Sequence, residues 1–313
     1  MRTSTQSKRH QSDMRLFAQP WGHARRILVR TGNILESTAA NYIASDSLTR
    51  GAAIAFYSVT SLIPVLVIVI AIAGLAFGEG AARGAIVREL AALIGPASAK
   101  LIQGAIESAY DSGSNGFALV VGAVILALTI SGVFGELQSA LNAIWKVEQR
   151  AFSISRLMRG RAASIGLVVG LGFLLLVSLV IDAGVSAASG YIDRHFRYGA
   201  MFLTALNTTI SFMLTSTLFA AIYKVLPDKP LDWRDVAFGA VVTAIAFEGG
   251  KSLIGLYLGS STVISSYGAA GALASLLLWI YYSAQIFLLG ASFTKACAVS
   301  EHRRRGQEKA RAK

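Results

Sequence analysis

Long stretches without a single Asp, Glu, Lys or Arg punctuate the chain. Gly51–Gly78, Ser112–Gly135, Ala162–Ile181 and Tyr198–Tyr223 are four of them. Val236–Phe247 opens a fifth, which then carries Glu248 and Lys251 before continuing to Leu258. The last, Ser252–Thr294, is too long for one helix, and its polar, glycine-containing part Gly259–Gly268 reads as a loop. About 20 apolar residues cross the hydrocarbon of a bilayer as a helix. In lipid, the backbone polar groups of such a segment have to be satisfied within it. The pattern predicts an all-α polytopic membrane protein, a bundle of six transmembrane helices over residues 51–77, 114–142, 162–188, 199–225, 236–258 and 269–297. A membrane β-barrel would show short alternating segments instead.

The remaining segments are read from periodicity and punctuation. Trp21–Ser45 can form a helix beside the membrane, with Trp21, Arg25 and Arg26 as interface anchors. In Ala81–Tyr110, apolar positions Ile86, Leu90, Leu93 and Ile94, then Leu101, Ala105 and Ile106, recur at helical spacing. Gly95-Pro96 separates the two sets, and proline suits the first turn of a new helix. These are two short amphipathic helices on the outer face, a hairpin that either caps the bundle or lies flat on lipid headgroups. Residues 21–298 form one membrane domain, and residues 1–20 and 299–313 are expected to be disordered basic tails.

Composition agrees. The chain is 54% hydrophobic and only 15% charged, where soluble domains carry about 25% charged residues. One cysteine, Cys297, excludes a disulfide framework or a zinc site of several thiolates. Charge changes the picture more. The net charge of +12 would suit a nucleic-acid partner, but its placement points elsewhere. Twenty-three Lys and Arg fall in the N-terminal segment, residues 146–161, residues 224–234 and the C-terminal end, against five on the alternate side. The positive-inside rule then puts both termini in the cytoplasm and requires an even number of spans. The basic residues are topology signals and contacts for membrane lipids, not a specific nucleic-acid footprint. The first 50 residues hold no apolar signal-peptide core.

Charges within spans are costly and are functional candidates. Glu248 and Lys251 stand three residues apart and can pair along one helix face. They are either a substrate or ion-coupling site or a self-neutralised packing pair. Glu136 shares a face with small residues near the end of the second span, where it either lines a cavity or reaches water. Asn207 and Gln285 carry amides that need partners on other helices. Pro64 inside the first span removes a backbone bond and predicts a kink or hinge. The glycine pairs Gly74/Gly78, Gly166/Gly170 and Gly255/Gly259 permit close helix contacts. No GxxxxGK[ST], HExxH or GxSxG run is present, so neither ATP-driven work, metal, cofactor nor enzyme chemistry is expected.

Several runs resemble one family. Ala52-Ala-Ile-Ala-Phe-Tyr-Ser-Val-Thr-Ser-Leu-Ile-Pro64 is similar to the first-span signature of the YihY/BrkB membrane family, and Leu141-Asn-Ala-Ile-Trp-Lys-Val147 to its second-span end. Tyr223–Pro227 with Trp233, Gly250-Lys-Ser-Leu-Ile-Gly-Leu-Tyr257, and Tyr267-Gly-Ala-Ala-Gly-Ala followed by Leu278-Trp-Ile-Tyr resemble its later spans. The resemblance covers residues 35–298. It implies a six-span protein of the bacterial inner membrane, from a family linked to virulence and serum resistance and once labelled ribonuclease BN. That family commonly ends its sixth span with Gly-Ala-Glu, whereas this chain has Gly290-Ala-Ser292, so no carboxylate role transfers to Ser292. The leading expectation is a transporter or flippase for a lipid or amphipathic envelope molecule. The alternatives are a non-transporting envelope assembly protein and, more distantly, a ribonuclease. Nothing in the sequence sets an oligomeric state. Convergence of Glu136, Asn207, Glu248, Lys251 and Gln285 on one cavity would identify a site, and scatter would favour packing roles.

Overall fold

The computed structural model describes residues 29–112, 131–147, 199–260 and 268–311. Every regular element among them is a helix. α1 covers residues 29–44, α2 Ser47–Phe77, α3 Glu79–Ile94 and α4 Pro96–Ser112. α5 covers residues 131–144, α6 Gly199–Val225, α7 Trp233–Ser260 and α8 Gly268–Arg311. Ser47–Leu75, Met201–Val225, Trp233–Ile254 and Ala270–His302 are long and apolar enough to cross a membrane. They coincide with the first, fourth, fifth and sixth expected spans. Of the second expected span, the part from residue 131 onward is helical as α5. The third span, the tail over residues 1–20 and the loop centre at residues 261–267 lie outside the described residues.

Local chemistry sets the helix ends. Asp46 takes a left-handed conformation, φ 53°, and breaks α1 from α2. Aspartate tolerates this backbone region better than most side chains, and Thr49 donates to its carboxylate at 3.1 Å. Gly78 at φ 84° ends α2, and its N–H returns to Gly74 O at 2.9 Å. A Cβ on Gly74 would come within 3.2 Å of the Glu79 backbone. The Gly74/Gly78 pair therefore serves the reversal into α3 rather than a contact between two spans. Gly95, also at positive φ, precedes Pro96 and closes α3 where α4 begins.

The hairpin α3–α4 packs against α2 and α8, as the capping reading requires. Ile102 and Ile106 are fully buried with Leu66 and Ile70 of α2 and Leu276 of α8, and Ile86 and Leu90 border the cluster. Ser98 donates to Ala272 O at 3.0 Å across this seam. α8 is the central strut, touching α2, α3, α4 and α7, while α6 packs on α7.

Within the segment expected as a C-terminal tail, residues 299–311 are helical, as α8 continues to Arg311. Glu301 pairs with Arg305 one turn on, at 3.6 Å, and with Arg30 of α1 at 3.2 Å. Opposite charges at helical spacing and a docked neighbour hold these turns in the helix.

Candidate functional site

Four of the connections and helix ends meet at one end of the bundle, called the basic end here. Arg50, in the first turn of α2, donates to Glu136 at 3.4 Å and to Ser139 at 2.8 Å, both on α5, and to Ser45 O at 3.0 Å. Asn142 and Gln138 of α5 donate to the Asp228 carboxylate at 2.8 and 3.2 Å, and the Asp228 N–H donates back to Asn142 Oδ1 at 2.9 Å. Gln285 of α8 accepts from the Tyr42 hydroxyl and donates to Leu48 O at 3.3 Å. Burial first, and then nearby Tyr281, raise the pKa of the Tyr42 phenol. Lys295 donates to Asn41 Oδ1 at 2.8 Å and to Ile144 O. Glu136 and Gln285 are thus absorbed by contacts that tie α1, α2, α5 and α8 together.

Inside the basic end the core is continuous. Phe219 and Tyr223 of α6, Phe247 of α7 and Phe287 of α8 form one aromatic group with ring centroids 5.0–6.3 Å apart. Leu141, Ile144, Val236 and Leu288 are fully buried around it. The buried Tyr223 hydroxyl donates to Phe287 O at 2.7 Å and lies 3.2 Å from Thr243 Oγ1. Close approach of α7 and α8 rests on glycines that spacing did not single out. A Cβ on Gly239 would fall 1.8 Å from Thr294 Oγ1, and one on Gly250 would fall 2.5 Å from Ile286 Cδ1. Gly290 is treated the same way by Thr243 and Tyr223.

Directly after Phe247 comes Glu248. Its carboxylate meets Lys251 Nζ at 2.8 Å, and the two side chains are 36% and 37% exposed. At 1.5 Å per residue, Glu248 and Lys251 lie ~22 and ~27 Å along the helix from Trp233, in the last two turns of the Trp233–Ile254 span. Asn207 sits further from the basic end on α6, and its Oδ1 is buried without a partner among the described residues, as is Ser216 Oγ. Thr209 returns its hydroxyl to Ala205 O at 2.7 Å, an ordinary helix contact. α2 continues through Pro64 as one helix. The hydroxyls of Thr60 and Ser61 bond the preceding turn, Thr60 to Phe56 O at 3.0 Å and Ser61 to Ser58 O at 3.1 Å.

Among the described residues the five candidates do not share a hydrogen-bond network: Glu136 and Gln285 act at the basic end, Glu248 and Lys251 pair with each other, and Asn207 Oδ1 has no partner. Sequence spacing could not show that Asp232, Asp235 and His302 each bring one ligand-type atom within 4.8 Å of the others. Both aspartates flank the start of α7, where a helix N-terminus favours negative charge. His302 Nδ1 bonds Ala298 O at 2.9 Å.

Comparison with known proteins gives the following. The family model described as "Virulence factor BrkB" matches residues 38–313. A UPF0761 membrane protein of Ralstonia nicotianae is 35% identical over 176 residues, 56% of this chain and 36% of that protein. One from a Janthinobacterium species is 32% identical over 190 residues, 60% of this chain and 40% of the relative. One from Nitrosospira multiformis is 26% identical over 286 residues, 89% of this chain and 64% of the relative. The chain thus matches less than two thirds of the length of these relatives. No solved structure matches it.

Proposed function

Since the chain is a membrane protein of the virulence factor BrkB family, we propose that it moves a lipid or another amphipathic envelope molecule across the bacterial cytoplasmic membrane. In this reading both termini are cytoplasmic, and the cargo is moved without being chemically altered. The observation that carries it is the Glu248–Lys251 pair, two charges held 2.8 Å apart inside a span and each about a third exposed. Charges within a span are costly and are functional candidates by default, so an ion pair inside the Trp233–Ile254 span that is not fully buried invites a polar partner. A headgroup can exchange into such a pair, its phosphate meeting Lys251 and its amine or hydroxyl meeting Glu248. The aromatic group of Phe219, Tyr223, Phe247 and Phe287 closes the bundle on the basic side of the pair. On the other side α6 carries Asn207, Ser211 and Thr215, which would keep the path polar.

The test is reconstitution in vesicles with a fluorescent phospholipid whose leaflet exchange is followed by chemical quenching. Glu248→Ala and Lys251→Ala should each slow exchange about tenfold or more. Tyr42→Phe, at the basic end, should leave the rate near that of the unmodified protein. No protein-dependent movement of phospholipids or envelope precursors, or rates unchanged in both charge variants, would refute the transport reading. A second reading, a non-transporting envelope assembly protein, draws on Glu136 and Gln285, whose polar groups are consumed in packing. It is favoured if the protein co-purifies with envelope partners in equal amounts with and without the Glu248–Lys251 pair.

A further inference from the structure

We propose that Lys146, Lys229 and Lys295 at the basic end form a binding site for a phosphate-bearing anion, with the side-chain amide of Asn41 as a fourth donor.

The backbone at Lys146 is the first observation. The last turn of α5 closes with Lys146 N–H on Ala143 O at 3.1 Å and Val147 N–H on Asn142 O at 2.9 Å. This pair of bonds ends a helix around one residue in the left-handed conformation, a position glycine usually fills. Here Lys146 fills it, at φ 51°. A side chain there costs about 1 kcal/mol relative to glycine. The α5 terminus would be better served by glycine, so Lys146 holds this position at a backbone cost.

The charges around it are the second observation. Lys295 is held by Asn41 Oδ1 and Ile144 O, both neutral acceptors. The positive charges of Lys146 and Lys229 both act on it. Lys229 Nζ lies 5.7 Å from the centre of the Trp145 ring. None of the three lysines has an ion pair among the described residues. The carboxylates that could have neutralised them are engaged elsewhere: Asp228 with Asn142 and Gln138, Glu136 with Arg50, and Glu301 with Arg30 and Arg305. Asp232 and Asp235 lie with His302.

The third observation is a donor without an acceptor. Asn41 Nδ2 is buried and has no partner among the described residues, on the same amide whose oxygen accepts a hydrogen bond from Lys295 Nζ. An unmade hydrogen bond at a buried donor costs about 1–3 kcal/mol. An oxyanion placed among the lysines answers both the crowded positive charge and the idle amide. Phosphate fits best because it offers several strong acceptor oxygens to point-charge ammonium groups. Its source can be a lipid headgroup or a free phosphate. The site lies at a bundle end bearing the exposed Trp233, and tryptophans favour the level of the headgroups.

The proposal stands apart from the transport reading, because binding is read at equilibrium without moving any cargo. The full chain is placed in phosphatidylcholine nanodiscs, and bound lipid is counted by native mass spectrometry after adding phosphatidylglycerol or further phosphatidylcholine. A parallel arm titrates inorganic phosphate and reads thermal stability. Phosphatidylglycerol should be preferred, and Lys229→Gln should weaken that preference about fivefold, the usual effect of one membrane-facing lysine. Lys146→Gly is the sharper variant: it should raise thermal stability and still weaken anion binding. Lys100→Gln, in α4 and away from this end, should change neither. Stabilisation by inorganic phosphate that disappears in Lys146→Gly would support the site with free phosphate as its ligand. Equal binding of the two lipids together with no response to phosphate would overturn the proposal. So would an anion preference that survives both Lys146→Gly and Lys229→Gln.

Discussion

At Gly290 one added carbon would sit 2.0 Å from the Thr243 hydroxyl oxygen and 2.7 Å from that of Tyr223. Neither neighbour can yield easily, because Thr243 is bonded to Gly239 O at 2.7 Å and Tyr223 to Phe287 O. Gly290→Val should therefore cost about 3 kcal/mol or more of stability through overpacking, measured as a lower midpoint of unfolding in detergent. Two residues away, Ser292 is fully buried and its hydroxyl has no partner among the described residues. Ser292→Ala removes an unsatisfied group and should be neutral or slightly stabilising in the same measurement. The two positions read alike in the sequence, as small residues in a helix. Their opposite outcomes follow from their surroundings: Gly290 meets Thr243 of α7 and Tyr223 of α6, whereas Ser292 buries an unsatisfied hydroxyl.

At the scale of elements, the hairpin α3–α4 is a wedge of the bundle. Its apolar positions Ile102 and Ile106 are fully buried against α2 and α8. Ile102→Ala should destabilise by about 2–5 kcal/mol, whereas substitution of the exposed Lys100 should have little effect, with thermal unfolding as the readout. The hairpin was legible in outline because Gly95-Pro96 interrupts a helical period. Its seat was not, because amphipathic helices of this length suit a lipid surface as well as a protein groove. The choice was made by the far surfaces of α2 and α8. The end of α8 shows the converse: a basic segment that looks solvated is held as helix by Arg30, which lies 271 residues away in sequence.

For the whole molecule, the contacts place the start of α2, the end of α5, the α6–α7 connection and the later part of α8 at one end. That is the grouping the lysine and arginine count requires of a bundle whose spans alternate in direction. Which side of the membrane this end faces is a prediction of the positive-inside rule. In a Cys297→Ser background, Lys100→Cys should react with a membrane-impermeant maleimide in intact cells. Arg305→Cys should react only after the membrane is opened. Labelling of Arg305→Cys in intact cells would reverse the orientation.

The sequence alone determined the first, fourth, fifth and sixth expected spans, which coincide with helices long and apolar enough to cross a membrane. In hydrocarbon the backbone must bond within its own segment, so a long uncharged run is helical, and glycine and proline mark the break at Gly95-Pro96. The partners of the polar residues were decided only by the tertiary structure. Arg50 meets Glu136 across 86 residues, Tyr42 meets Gln285 across 243, and Lys295 meets Asn41 across 254. No local pattern encodes such pairs, because each depends on how two helices are turned about their own axes, which the packing of neighbouring side chains sets. For this reason Glu136 and Gln285 became ties between helices, Glu248 and Lys251 stayed a pair within one helix, and three lysines from three separate segments came to share one corner of the bundle.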